Sequence, residues 1–390
     1  MPKVVLFANT DWYLFNFRRS LALALQDEGY DVLLLSPAGD YGPRLRALGL
    51  RWLPLQMDRR SVNPLRETAL LLRVAALLRH ERPALLHNFT IKSAVYGSLA
   101  ARMAGVPARI NAVDGLGYVF ASNDRKARIL RPAVRTLLRS ALRGRNTRLI
   151  LQNPDDKAAF EQFRLIESSR VRLIPGAGVD CTRFTPRAAR NDGADTQPAR
   201  VLLAARLLWE KGIAEYAQAA RILRAQGRNV RFLLAGTPDP GNPAAVPEAT
   251  LREWVEEGVL EWLGHVGDMR ELYASVDIVT LPSYYREGIP TSLTEAAACG
   301  LPLITTDMPG CREVVTDGKD GLLIPPRDAE ALAAAIARLL DSPGLAARLG
   351  NAARAKALDV FDEQIIIRRT LDVYRRLLPR TRRLRAAASA

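Results

Sequence analysis

Short apolar runs and segments of helical spacing alternate along the chain. In the first half the runs Val4–Asn9, Asp31–Pro37, Arg51–Leu55, Ala84–Phe89, Arg109–Asp114, Arg148–Asn153 and Val171–Pro175 read as strands. Leu14, Phe17, Leu21 and Leu25 return at helical intervals after the first run, and Gly29 reads as the stop of that helix. Another helix is predicted from Pro64 to about Arg79, ahead of Pro83. After Asp180 the alternation breaks. Residues 186–199 are polar and rich in turn formers, which marks a linker. The pattern restarts with Arg200–Arg206, Val230–Gly236, Val259–Val266, Asp277–Ser283, Leu301–Thr306 and Gly321–Ile324, and closes with helices near Asp328–Leu340, Pro343–Ala357 and Asp362–Leu378. Strands alternating with helices predict an α/β protein whose parallel sheets carry helices on both faces. The expected division is a first domain over 1–185, the linker over 186–199, a second domain over 200–360, and a C-terminal helix and basic tail over 361–390 that returns to the first domain. Ligands of such sheets bind at the carboxyl ends of the strands.

Composition agrees with this division. The 390 residues fit two domains of roughly 100–200 residues each, and an apolar share of 48% is ample for two cores. Cys181, Cys299 and Cys311 are far apart and form no C-x-x-C, so they read as thiols of a reducing compartment. His80, His87 and His265 are too scattered for a zinc cluster. The apolar run at the start is too short for a secretion signal, and no stretch approaches the roughly 20 apolar residues of a membrane span. The expectation is a cytoplasmic protein.

The net charge of +15 points to an anionic partner. Nine basic residues and no acidic one lie between Arg125 and Arg148. Arg128, Arg131, Arg135, Arg139 and Arg143 recur at helical steps, with Leu130, Val134, Leu137, Leu138 and Ala141 on another side. Such a basic amphipathic helix fits an anionic membrane surface, and fits an ordinary surface helix too. Arg368, Arg369, Arg375, Arg376, Arg380, Arg382, Arg383 and Arg385 form a second basic cluster. No nucleic-acid motif accompanies the charge, so nucleic acid is not an expected partner.

Candidate chemistry gathers at the predicted strand ends. Glu287 and Glu295 stand eight residues apart in Glu287-Gly288-Ile289-Pro290-Thr291-Ser292-Leu293-Thr294-Glu295. The first falls in a strand-to-helix loop. The second is expected roughly two turns into the following helix, with Pro290 in its first turn. A helix start attracts phosphate and carboxylates hold hydroxyls, so the segment suits a nucleotide sugar. Spacing alone fits two solvated glutamates as well. Arg206, at the end of the first strand of the second domain, and Lys211, opening the next helix, place two cations where a departing diphosphate would gather charge. Gly236 follows a buried strand and allows close approach of a ligand; a plain turn is the simpler reading. In the first domain Asn9, Thr10 and Asp11, then His87 and Lys92, then Asp114, Gly115, Gly117 and Tyr118 follow or flank strand ends. His87 alone reads better as a satisfied core histidine. G-x-G-x-x-G after the first strand, a P-loop and Asp-x-Asp are all missing. No cofactor or metal is therefore expected.

Taken together these segments resemble the family 4 glycosyltransferases of the GT-B fold, over nearly the whole chain. Glu287-Gly-Ile-Pro-Thr-Ser-Leu-Thr-Glu295 is similar to the family's E-x(7)-E signature, Arg206 with Lys211 to its diphosphate clamp, and Pro175-Gly-Ala-Gly178-Val179-Asp180 to its interdomain segment. The resemblance implies two Rossmann-like doubly wound domains, a nucleotide-sugar donor, and retention at the anomeric carbon. It implies that Glu295 holds the ribose and that Glu287 faces the transferred sugar, with Gly288, Ile289, Pro290, Thr291 and Gly236 lining the donor site. Many members have a histidine near the donor sugar where this chain has Asp114. Asn9–Phe15, His87–Gly97 and Gly115–Phe120 resemble bacterial members that extend polyprenyl-diphosphate-linked saccharides. That implies a UDP-linked donor, a lipid-linked acceptor met by the first domain, and peripheral attachment to the inner face of the cell membrane. A nucleotide-sugar 2-epimerase on a similar twin-domain fold is the alternative.

Overall fold

A computed structural model describes residues 1–58, 61, 63–113, 125–186, 197–239 and 241–378. Asp114, Gly115, Gly117 and Tyr118, most of the expected linker and the arginines beyond residue 378 lie outside the described residues. The chain divides into two compact units, one of Met1–Ala177 with Ile366–Ala390 and one of Gly178–Ile365.

The first unit holds seven strands: β1 (Lys3–Phe7), β2 (Asp31–Ser36), β3 (Arg51–Pro54), β4 (Leu85–Phe89), β5 (Ala108–Ala112), β6 (Thr147–Leu151) and β7 (Val171–Leu173). They form one sheet in the order β3-β2-β1-β4-β5-β6-β7, parallel at every pairing. Val4, Val5, Leu6 and Phe7 are all buried. β1 is therefore covered on both faces, which is why it reads as an apolar run. The helix Glu363–Leu377 contributes Ile366, Leu371 and Tyr374 to the same core as Leu6, Leu34, Phe89 and Ile110.

The helix expected through Leu14 and Leu25 is broken. Asp11–Phe17 ends at Arg18, and Arg19–Asp27 begins anew. Arg18 is buried. Its Nη2 donates to Tyr13 Oη at 2.7 Å, and its guanidinium lies 4.5 Å from the Phe89 ring centre. At the break Arg18 has φ −131° and ψ −2°, and its cation lies on aromatic faces.

The second unit has β8 (Ala199–Ala204), β9 (Val230–Ala235), β10 (Glu261–Gly264), β11 (Ile278–Leu281), β12 (Leu303–Thr306) and β13 (Leu322–Ile324). Their order is β10-β9-β8-β11-β12-β13, again parallel throughout. In each sheet the first strand in sequence lies centrally and the chain winds outward from it both ways. The switch points lie between β1 and β4 and between β8 and β11, where a crevice opens at the carboxyl ends. The late helices are Ala329–Asp341 and Pro343–Lys356, within a residue or two of expectation.

Candidate active site

The β8/β11 switch point brings the loop after β8 against the loop after β11. Leu208 leads into a single tight turn, Trp209–Lys211, and Gly212 joins it to the helix Ile213–Ala225. Gly212 has φ 77°, and a Cβ there would lie 2.2 Å from the Pro282 carbonyl oxygen. Only glycine lets these backbones meet so closely. The closeness places Lys211 beside Glu287, and the Lys211 ammonium pairs with Glu287 Oε1. Ser283 Oγ lies 2.7 Å from the same oxygen and 3.1 Å from the Glu210 carbonyl. Glu287 N donates to the Pro309 carbonyl at 3.0 Å, and Gly310 packs so tightly that a Cβ would lie 1.8 Å from Gly288 O. Burial pushes the Glu210 carboxyl up, Lys211 pulls it down, and Glu287 adds to the rise.

Glu295 sits differently from expectation. Pro290 is the N-cap of the helix Thr291–Ala298, not part of its first turn, so Glu295 is little more than one turn in, not two. Thr294 N donates to the Pro290 carbonyl at 3.2 Å, the first bond of the helix, so Pro290 itself stands just outside it. Tyr273 Oη lies 3.1 Å from both Glu295 Oε2 and the Ser292 carbonyl, sharing one proton between them. Burial lifts the Glu295 carboxyl to about 7, against the opposing pull of Tyr273 and Arg183.

The two cations are not side by side on one partner. Arg206 is 64% exposed and pairs with Asp239 at 3.2 Å, while Lys211 is nearly buried on Glu287. A diphosphate would have to draw both from carboxylates. Gly236 has φ 136°; a Cβ would lie 1.9 Å from Ala205 O, so this glycine serves the approach of two strand ends whatever else it meets. Spacing gave no sign of Ser283, Tyr273 or Asp239. Asp239 lies 33 positions from the arginine it meets.

In the first unit several residues named from the sequence are spent on the fold. Thr10 caps Asp11–Phe17, accepting from Tyr13 N at 3.1 Å. Asp11 is buried, and its Oδ2 accepts from Tyr41 N and Gly42 N, both at 2.8 Å. Lys92 Nζ donates to the Asp58 and Ser61 carbonyls at 2.6 and 3.0 Å and to Glu67 Oε1 at 2.8 Å. Asn9 is half-buried just beyond β1. His87 is buried in β4, with Nδ1 2.7 Å from Tyr374 Oη and Nε2 without a partner. Burial, with the Arg18 charge beside it, holds the imidazole well below the usual histidine range. Arg18, His87, Phe89, Gln152, Gly176 and Thr370 border a small cleft here.

The basic segment is a helix, Arg125–Ala141. Leu138 and Ala141 are core residues, but Ile129 and Leu137 face solvent, Ile129 with 76% of its surface exposed. The expected apolar stripe is therefore divided, because Leu137 is exposed, as Arg128 and Arg139 are. Arg135 turns inward, its Nε donating to the Phe163 carbonyl at 3.1 Å. Among the described residues no helix is long and apolar enough to cross a membrane, and no three His, Cys, Asp or Glu side chains gather as a metal-binding set.

Residues 185–356 match the family model for glycosyl transferases group 1, and residues 3–153 match that for glycosyl transferase 4-like proteins. The N,N'-diacetylbacillosaminyl-diphospho-undecaprenol alpha-1,3-N-acetylgalactosaminyltransferase of Campylobacter jejuni is 29% identical over 94% of this chain and 96% of its own. The UDP-Gal:alpha-D-GlcNAc-diphosphoundecaprenol alpha-1,3-galactosyltransferase of Escherichia coli is 26% identical over 72% of this chain and 73% of its own. In fold the chain is similar to a glycosyltransferase from Rickettsia africae, with a TM-score of 0.78 at 18% identity over 97% of this chain and 100% of that one. It is also similar to Anabaena HepE in complex with UDP, with a TM-score of 0.75 at 19% identity over 95% and 99%. The comparisons lend no support to the epimerase alternative. With both halves of the chain matched and two parallel Rossmann-like sheets present, the protein belongs to the group 1, family 4-like glycosyltransferases of the GT-B fold.

Proposed function

We propose that this glycosyltransferase moves a sugar from a UDP-linked donor to a saccharide carried on a polyprenyl diphosphate, with retention at the anomeric carbon. The observation that carries the donor half is the meeting of Lys211 and Glu287 at the β8/β11 switch point. The acceptor half rests on the two curated relatives, whose names both specify undecaprenyl-diphosphate-linked sugars. Glu295 would hold the ribose hydroxyls and Glu287 the transferred sugar. Arg206, Lys211 and the backbone of Gly288, Ile289, Pro290 and Thr291 would hold the diphosphate, with Gly236 beside the nucleoside. Asn9 and His87, with Gly115, Gly117 and Tyr118, would form the acceptor side, Thr10 would shape it through the helix it caps, and Asp114 would stand beside the donor sugar. Asp11 and Lys92 would shape that side through the loops they hold.

In the reaction, the bond from the anomeric carbon to the diphosphate oxygen breaks as the acceptor hydroxyl oxygen bonds to the same face. The hydroxyl proton passes to the departing diphosphate. Fixed positive charge at that diphosphate lowers the barrier. No metal or cofactor is part of this reading. The setting is the inner face of the cell membrane, reached through the helix Arg125–Ala141.

The test is a thermal-shift screen of purified protein against UDP-, GDP-, ADP- and dTDP-sugars. Transfer from the preferred donor to undecaprenyl-diphospho-N-acetylglucosamine follows, with and without EDTA. A UDP-sugar should stabilise the protein, transfer should survive EDTA, and the product linkage should keep the donor's anomeric configuration. Lys211→Ala should lower turnover by about 10²–10³. Loss of transfer in EDTA with rescue by a divalent ion would overturn the metal-free reading. A new sugar nucleotide made without acceptor would overturn the transfer reading.

A further inference from the structure

We infer that Ser283 is a positioning residue for the reaction, acting through Glu287. The inference rests on the sugar-facing role proposed above for Glu287. Ser283 follows the carboxyl end of β11 and is fully buried. Its backbone is anchored, because the carbonyl accepts from Thr306 Oγ1. Its hydroxyl has two acceptors in reach, Glu287 Oε1 at 2.7 Å and the Glu210 carbonyl at 3.1 Å. A hydroxyl carries one proton. The shorter contact to a carboxylate takes it, since a charged acceptor makes the stronger bond. The Glu210 carbonyl is served independently by Tyr284 N at 3.0 Å. Ser283 Oγ in turn accepts from Tyr285 N at 3.3 Å.

Glu287 Oε1 thus takes two donors, one from each loop of the switch point: the Lys211 ammonium and the Ser283 hydroxyl. One donor leaves a carboxylate free to rotate about its contact. Two from different directions fix the plane of the carboxylate and the reach of its side chain. The difference matters most when Lys211 is drawn toward a diphosphate. Ser283 then still holds Glu287 Oε1, and it is attached to β11 and β12 rather than to the ligand.

Ser283→Ala deletes the hydroxyl. Ser283→Cys nearly preserves the volume but supplies only a weak donor. If the hydroxyl positions Glu287, both variants should lose about tenfold to a hundredfold in kcat, the range for a misplaced group near the reaction. KM for the donor and affinity for UDP alone should stay within about threefold of wild type, and Tm within a few degrees. Turnover is read as nucleoside diphosphate released from the sugar nucleotide that the screen selects. A loss in Ser283→Ala with full activity in Ser283→Cys would mean packing, and would overturn the inference. Full activity in both, or a loss confined to UDP affinity, would overturn it too. Glu287→Ala is measured in parallel. If it retains full turnover, the role of Glu287 itself fails. If it loses turnover and the Ser283 variants do not, only the present inference fails.

Discussion

Glu295 is a carboxyl whose burial outweighs the single hydroxyl that serves it, and this makes it sensitive to pH near neutrality. Its folded value near 7 lies above the ordinary value of about 4.3 in an unfolded chain. Between those values the folded protein binds more protons than the unfolded one, so this group's contribution to stability falls as pH rises through the window and is level above it. The full cost of ionising it is about 4 kcal/mol at most. Glu295→Gln, which cannot ionise, should therefore raise Tm relative to wild type at pH 8, and the gap should close toward pH 5. The same change should weaken UDP-sugar binding, because a neutral amide accepts ribose hydroxyls less strongly. Parallel melting curves across pH 5–8 would contradict the first expectation, and wild-type affinity the second. At this scale the sequence was readable wherever a residue's position in a motif decides its place. Glu287, Glu295 and Lys211 all fall at one switch point or in the helix that follows it. Ser283 and the Arg206–Asp239 pair were not readable, because contacts between separate loops leave no trace in local spacing.

Between residues and domains, the elements depend on a few points of backbone contact. Gly29 and Gly212 share the same left-handed conformation, φ 82° and 77°, yet a Cβ at Gly29 would meet nothing within 4 Å. Gly29→Ala should therefore cost only the conformational strain, roughly 1–2 kcal/mol. Gly212→Ala adds a collision with Pro282 and should be clearly worse in Tm. It should also depress donor turnover, because the turn holding Lys211 must move away from Glu287. Equal losses in the two variants, by calorimetry and turnover, would show that the contact is not limiting. Strands such as β1, β2 and β9 were legible because each carries a run of apolar residues between turn formers. The late helices were legible within a residue or two, and the first of them is capped by Asp328, which accepts from Ala331 N at 2.8 Å. The break at Arg18 was not, since leucine spacing continues across it.

Over the whole molecule the net charge is +15, and a run of basic residues lies on the helix Arg125–Ala141. Arg128, Ile129 and Arg139 all face solvent there. Charge near an anionic leaflet and a protruding apolar side chain reinforce each other. Replacing these three by glutamine should weaken binding to phosphatidylglycerol vesicles by about tenfold or more, with little change on phosphatidylcholine. Arg135 is best left intact, since it holds the Phe163 carbonyl. Co-sedimentation at low and high salt checks this, and undiminished salt-sensitive binding would move the membrane face elsewhere. Twin sheets were legible from the repeated alternation of runs. The exposure of Ile129 was not, because a helix's sequence does not say which apolar positions its neighbours cover.

The bond between His87 on β4 and Tyr374 on the helix Glu363–Leu377 also bears on how the chain is made. The first unit takes in Met1–Ala177 and then Ile366–Ala390, whereas the second is continuous over Gly178–Ile365. During synthesis every residue of the second unit leaves the ribosome before Tyr374 does. At elongation rates of roughly 5–20 residues per second, that interval lasts on the order of ten seconds or more. Until then the first sheet lacks Ile366, Leu371 and Tyr374 over its apolar face, and the imidazole of His87 lacks its partner. The half of the protein begun first is thus the half completed last.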